Sequence, residues 1–150
     1  YMQKSGMADS AYYYYELALV SNPDNALVLN NYAYTLAVNN GDLDKAERLS
    51  GRSLQKDPKS VTFLDTYAWI YFKQGNYATA KMYIQQAVNY GGDKDADVLE
   101  HYGDILYKNG EEAEGVKAWN QAVSIAKNPS ALLMHKVETG KYFDKLDKEK

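Results

Sequence analysis

Cut every 35 residues, this chain falls on top of itself. Leu29, Leu64 and Leu99 stand one period apart. So do Tyr32, Tyr67 and Tyr102, each followed directly by a small residue: Ala33, Ala68 and Gly103. A fixed period of this size marks a stacked array, in which no unit can bury its apolar face alone and each leans on its neighbours. Such a chain is expected to hold another molecule rather than to transform one.

Each unit reads as two helices. Leu29, Tyr32, Ala33 and Leu36 recur at the spacing of one helix face. Gly41 and Asp42 then punctuate the chain, the glycine as a C-terminal cap and the aspartate as the next N-cap. A second stripe follows in Leu43, Ala46, Leu49, Ser50, Ser53 and Leu54, and stops at Asp57-Pro58. The next unit repeats the order with Leu64, Tyr67, Ala68 and Tyr71, a turn at Gly75-Asn76, then Tyr77, Ala80, Ile84 and Ala87. The third has Leu99, Tyr102, Gly103 and Leu106, a turn at Gly110, then Gly115, Trp119 and Ala122. Small residues recur where paired helices must approach closely, since a large side chain there would wedge them apart at a cost of ~1–3 kcal/mol.

This order of large and small positions resembles the tetratricopeptide repeat (TPR) family, whose unit is a helix–turn–helix of about 34 residues. The segment LDTYAWIYFKQGNYATAKMYIQQAV carries the resemblance most fully, flanked by NNYAYTLAVNNGDLDKAERL and EHYGDILYKNGEEAEGVKAWNQAV. The resemblance implies an all-α, right-handed solenoid closed by a C-terminal capping helix. The expected units span 24–58, 59–92 and 93–127. Three departures from the family pattern are visible. One extra residue stands before the glycine at 39–41, Gly92 stands in place of a closing proline, and Gly115 replaces an alanine. They predict a looser last unit.

At the N-terminus, stepping back from Ala46, Ser53 and Pro58 lands on Ala11, Ala18 and Pro23. Residues 5–23 are therefore expected to be the second helix of a truncated unit, with Met2–Lys4 the tail of its missing partner. In the run Tyr12–Tyr15 the family register puts Tyr15 in the core and leaves Tyr12–Tyr14 for other contacts. Pro129-Ser130 opens the expected capping helix over 129–139, with Leu132, Leu133 and Val137 on one side. The highly charged segment 140–150 is expected to fray.

The family's groove is lined by the first helix of each pair. By analogy its positions here are Leu27, Asn30, Tyr34 and Val38, then Thr62, Asp65, Trp69 and Lys73, then Asp97, Glu100, Asp104 and Lys108. Asp65, Glu100 and Asp104 would repel an anionic chain terminus, so a carboxylate clamp is not expected. The candidate partner-binding residues are Asn30, Tyr34, Asp65, Trp69, Lys73, Glu100, Asp104 and Lys108. In this reading Tyr34 and Trp69 seat an apolar or aromatic segment while Asp65, Glu100 and Asp104 meet a basic one. The partner is a protein or peptide, and the module is a non-catalytic scaffold.

Other chemistries find little support. RNA-reading helical repeats share a similar period, but they need a basic groove, whereas the chain's formal net charge is −3. Cysteine is absent, and no apolar run approaches the ~18 residues that span a bilayer. Glu100, His101 and Asp104 invite a metal, yet Glu100 and His101 diverge by about 100° on a helix, so His101 is expected to be a partly buried packing residue. No phosphate-cradling loop and no nucleophile–base pair is present, and no cofactor is expected. The strings around Tyr67 and Tyr102 resemble bacterial TPR proteins associated with the cell envelope, which implies a periplasmic or envelope location.

Overall fold

The computed structural model describes residues 2–145, with side chains from residue 9. Eight α-helices make up the described residues: α1 (Met2–Ser21), α2 (Ala26–Val38), α3 (Leu43–Lys56), α4 (Val61–Lys73), α5 (Tyr77–Asn89), α6 (Ala96–Lys108), α7 (Glu112–Ile125) and α8 (Ala131–Thr139). A short 3-10 turn, Gly92–Lys94, joins α5 to α6. The pairs α2–α3, α4–α5 and α6–α7 pack most closely, and each pair stacks on the next through α3–α4 and α5–α6. First helices also touch one another, α2 with α4 and α4 with α6, and so form one continuous wall. This is an α-solenoid, with α8 packed on α7 at its C-terminal end.

Helix starts are written in side chains. Asn25, Asp42, Ser60, Asn76, Asp95 and Ser130 each accept a hydrogen bond from a backbone N–H in the first turn that has no partner inside the helix. Helix ends are more uniform than the sequence suggests. Asn40, Gly75 and Gly110 stand 35 residues apart and all adopt positive φ, at 55°, 85° and 93°. The following N–H of Gly41, Asn76 and Glu111 reaches back to Leu36, Tyr71 and Leu106. That is a Schellman closure at the same place in every unit. No residue is inserted at 39–41: asparagine, which tolerates the left-handed region, takes the place glycine holds in the other units, and Gly41 is not the left-handed residue.

The core lies along the helix pairs. Leu29, Ala33, Ala46 and Ile70 are fully buried near the N-terminal end, Leu64, Ala68, Ala80, Ile84 and Ala87 in the middle, and Leu99, Trp119, Ala122 and Leu133 at the C-terminal end. The last unit is not loose. Its two helices make the most extensive contact of any pair. A methyl group on Gly103 would strike the Trp119 indole and the Gly115 carbonyl oxygen, and one on Gly115 would lie 2.7 Å from the Gly103 carbonyl oxygen. Two facing glycines let the backbones meet and leave room for a fully buried Trp119, stacked on Tyr107 at 5.4 Å between centroids.

The N-terminal helix differs from the expectation as well. It runs without a break from Met2 to Ser21, so Met2–Lys4 continue α1 rather than end a separate helix. Tyr12 joins Tyr15 against the core, both packing on Tyr32 with centroids 5.7 and 5.3 Å away. Tyr13 and Tyr14 stay exposed, at 63% and 67%. Nor does the charged segment peel away throughout, because Tyr142 packs against Phe72 and caps the cores of the second and third units. Residues 146–150 of that segment lie outside the described residues.

Candidate functional site

The wall of first helices carries an open cleft of about 380 Å³. Asn30, Asn31 and Tyr34 of α2, Thr62, Asp65 and Thr66 of α4, and Asp97 and His101 of α6 line it. These residues come together because solenoid stacking sets equivalent first-helix positions side by side, one period apart in sequence. Asn30 and Asp65 are one period apart, as are Thr62 and Asp97, and as are Asn31, Thr66 and His101.

Polar groups dominate the cleft. Asn30 is only 3% exposed, and its Oδ1 is buried with no hydrogen-bond partner. Tyr34 is 42% exposed and offers its ring to solvent. Burial first, then the charges of Asp65 and Asp97, push the Tyr34 phenol above its ordinary value. His101 donates from Nδ1 to Asp65 Oδ1 at 2.8 Å. Burial pulls the His101 pKa down, but Asp65 opposes this by charge and hydrogen bond, with Asp104 and Glu100 adding to it, and the result stands at about 9. The imidazole is therefore protonated at neutral pH. Asp97 makes no ion pair among the described residues and keeps its carboxylate free.

The expected groove residues divide into two sets. Asn30, Tyr34 and Asp65 meet in the cleft, joined by Thr62 and Asp97. Trp69 does not present an open ring: it stacks on Phe72 at 4.5 Å and on His101 at 4.1 Å, which leaves its edge. Glu100 and Asp104 are taken by another side chain. Lys136, from α8, donates to Asp104 Oδ1 and pairs with Glu100 Oε2, each at 2.7 Å. Lys136 is 1% exposed and its Nζ lies 5.4 Å from the Trp119 ring centroid. Trp119 Nε1 donates to the same Asp104 oxygen at 3.0 Å. Burial raises the Asp104 carboxyl to about 6, although Lys136 works against the rise. Asp104 is thus a closed structural anchor and not a free groove acid. Lys73 and Lys108 stand apart from the cleft, Lys108 over the Tyr142 ring at 5.2 Å.

Sequence reasoning missed Asn31, Thr66, Lys136 and Tyr142. The row at 31, 66 and 101 is visible at the same 35-residue step as its neighbours. Lys136 follows Leu133 by three residues, which puts it on the buried stripe of α8, but a lysine on a helix ordinarily reads as solvated.

The opposite face has a larger cleft, about 710 Å³, between α3 and α5. Leu54, Leu64, Tyr67 and Tyr83 line it together with Arg48 and Arg52, the chain's two arginines. Among the described residues no group of three or more His, Cys, Asp or Glu is placed to hold a metal ion. No helix there is long and apolar enough to cross a membrane.

A solenoid of paired helices with an open inner cleft defines a class of interaction proteins, and comparison with known proteins supplies the family. Two tetratricopeptide repeat models match, over residues 14–48 and 68–131. The chain belongs to the tetratricopeptide repeat family. It is 33% identical over 86 residues to a TPR repeat-containing protein of Pseudomonas aeruginosa. That match takes in 57% of this chain and 14% of the relative, so the chain spans a small part of that protein's length. Among solved structures, a tetratricopeptide repeat protein from Parabacteroides merdae superposes with a TM-score of 0.74 at 18% identity, covering 91% of this chain and 54% of that one. MamA gives 0.72 at 19% identity, with 92% and 79% covered. The first TPR domain of Spaghetti, bound to the HSP90 peptide SRMEEVD, gives 0.68 at 17% identity, with 77% and 89% covered. At these identities the solved structures speak for the fold.

Proposed function

We propose that this chain is a non-catalytic scaffold that holds a segment of a partner protein against the inner wall formed by α2, α4 and α6. The observation that carries this reading is the cleft itself: polar, open, and built from three successive units whose own packing needs are already met elsewhere. The Spaghetti TPR domain was solved with a peptide whose end is acidic. In this chain Asp65 and Asp97 line the cleft, so a segment of opposite character is expected, with basic residues at the cleft and apolar ones along the exposed Leu27, Tyr34 and Val38 of α2. The same carboxylates argue against a phosphate backbone as ligand.

The test is photo-cross-linking with benzoylphenylalanine placed at Thr62, inside the cleft, or at Gln55, on the opposite face. Partner adducts from Thr62 that vanish with Tyr34→Ala are expected. Adducts that form only from Gln55, and are indifferent to Tyr34, would move the binding surface to the α3–α5 cleft.

A further inference from the structure

We infer that the α2–α4–α6 cleft is a receptor for one lysine or arginine side chain of the partner segment, an inference that rests on reading the inner wall as the partner-binding surface. Three independent observations support it. The molecule already seats a lysine one step along the same wall. Lys136 reaches into the third unit and binds Glu100 and Asp104, which are the period equivalents of Asp65 and Trp69. The wall's chemistry at these positions is therefore compatible with a fully desolvated ammonium, provided carboxylates and an aromatic ring surround it.

The open cleft offers the same kinds of group without an occupant from this chain. Asp97 has no cationic partner among the described residues, and only Oδ1 of Asp65 is engaged, by His101. The exposed Tyr34 ring, part of the cleft lining, offers an aromatic face for the methylene stem and the charged head, the kind of group that Trp119 offers Lys136. Of the four carboxylates along this stretch of wall, Asp65 pairs with His101, Glu100 and Asp104 pair with Lys136, and Asp97 is left without a cation, so a positive charge beside it is electrostatically welcome.

The third observation is Asn30. A side-chain amide that is nine-tenths buried ordinarily has its oxygen paired, because a buried acceptor left unmet has given up its water for nothing in return. Here Oδ1 has no partner, and the side chain forms part of the cleft lining. A donor entering beside Asp65 would meet it once the Asn30 amide turns its oxygen from the enclosed side into the cleft. A bare metal ion fits less well, since the described carboxylates and imidazole are not gathered into a ligand set.

The experiment is an NMR titration of the chain with acetylated, amidated five-residue peptides that differ only at the centre: lysine, arginine, norleucine or glutamate in an alanine host. Saturable shifts at the amides of Thr62, Thr66, Asp97 and His101 are expected with lysine and arginine, and none with norleucine or glutamate. Asp97→Asn should weaken the lysine peptide about tenfold, the loss of one charge-assisted contact. Asp97→Lys should abolish binding while the circular dichroism stays that of the parent. Equal shifts with norleucine, or undiminished binding to Asp97→Lys, would overturn the inference. Silent amides together with Tyr34-dependent cross-linking from Thr62 would remove the cation receptor and leave the groove. Silent amides with no Thr62 adducts would remove both.

Discussion

Two neighbouring stretches of one wall, built on equivalent positions, have opposite fates. Around α2, α4 and the start of α6 the first-helix residues Asn30, Tyr34, Asp65 and Asp97 line an open cleft. One unit further on, Glu100 and Asp104 are sealed by Lys136 and Trp119, and Asp104 keeps 4% of its surface. Periodicity puts carboxylates on the wall in both places; what decides their use is whether another element of the chain returns to cover them. The capping helix does so at the C-terminal end, and it converts acids that could greet a partner into an internal ion cluster. Ordinary cap residues are polar on the outside, whereas this cap also sends a cation inward.

The comparison breaks most sharply at Lys136. Lys136→Ala should leave Glu100 and Asp104 without their cation in a buried setting and cost roughly 3–5 kcal/mol in urea unfolding. Asp104→Leu combined with Lys136→Met should recover much of that loss, because an apolar pair avoids the desolvation both charges incur. A Lys136→Ala protein as stable as the parent would mean the cluster is not closed.

On the open side the corresponding test is pH. The folded His101 holds its proton up to about pH 9, against an ordinary value of 6.5. Its pairing with Asp65 thus stabilises the fold fully below pH 6.5 and fades as pH rises through 9, by up to roughly 3 kcal/mol. This window lies above the Asp104 value of about 6, so the two regions separate. Unfolding free energies measured between pH 6.5 and 9 should fall in the parent and stay flatter in Asp65→Asn.

Packing of the sealed unit sets the next effect. Gly103→Ala places a methyl against Trp119 and the Gly115 carbonyl and should cost roughly 1–3 kcal/mol, read as a lower melting temperature. The smallest effect belongs to the first unit. Asn40→Gly relieves the left-handed backbone at φ 55° and should stabilise by about 0.5 kcal/mol in the same assay.

Periodicity made much of this legible. The small positions Ala33, Ala68 and Gly103 are buried at helix contacts, and the 35-residue step assembled Asn30, Tyr34 and Asp65 into one cleft. Other features lay outside its reach. The substitution of glycine for alanine at Gly115 reads as a looser pair only if the opposite residue is ignored; Gly103 and Gly115 together shorten the distance between helices and let Trp119 in. Asn40 hides because the motif seeks glycine, although the backbone asks only for tolerance of positive φ. Lys136 and Tyr142 depend on α8 and the chain after it folding back over α6, a return that no repeat encodes. Trp69 reads as a groove anchor from its position, but Phe72 and His101 claim both faces of its ring.

The most direct measurement of the contrast is lysine footprinting: brief reductive methylation of the folded chain, followed by mass spectrometry of each lysine. Lys136 should stay unmodified until the protein unfolds, while Lys108 and Lys117 on the surface react at once. Methylation of Lys136 at the rate of Lys108 would contradict a sealed third unit, and with it the account of why one stretch of the wall is left open.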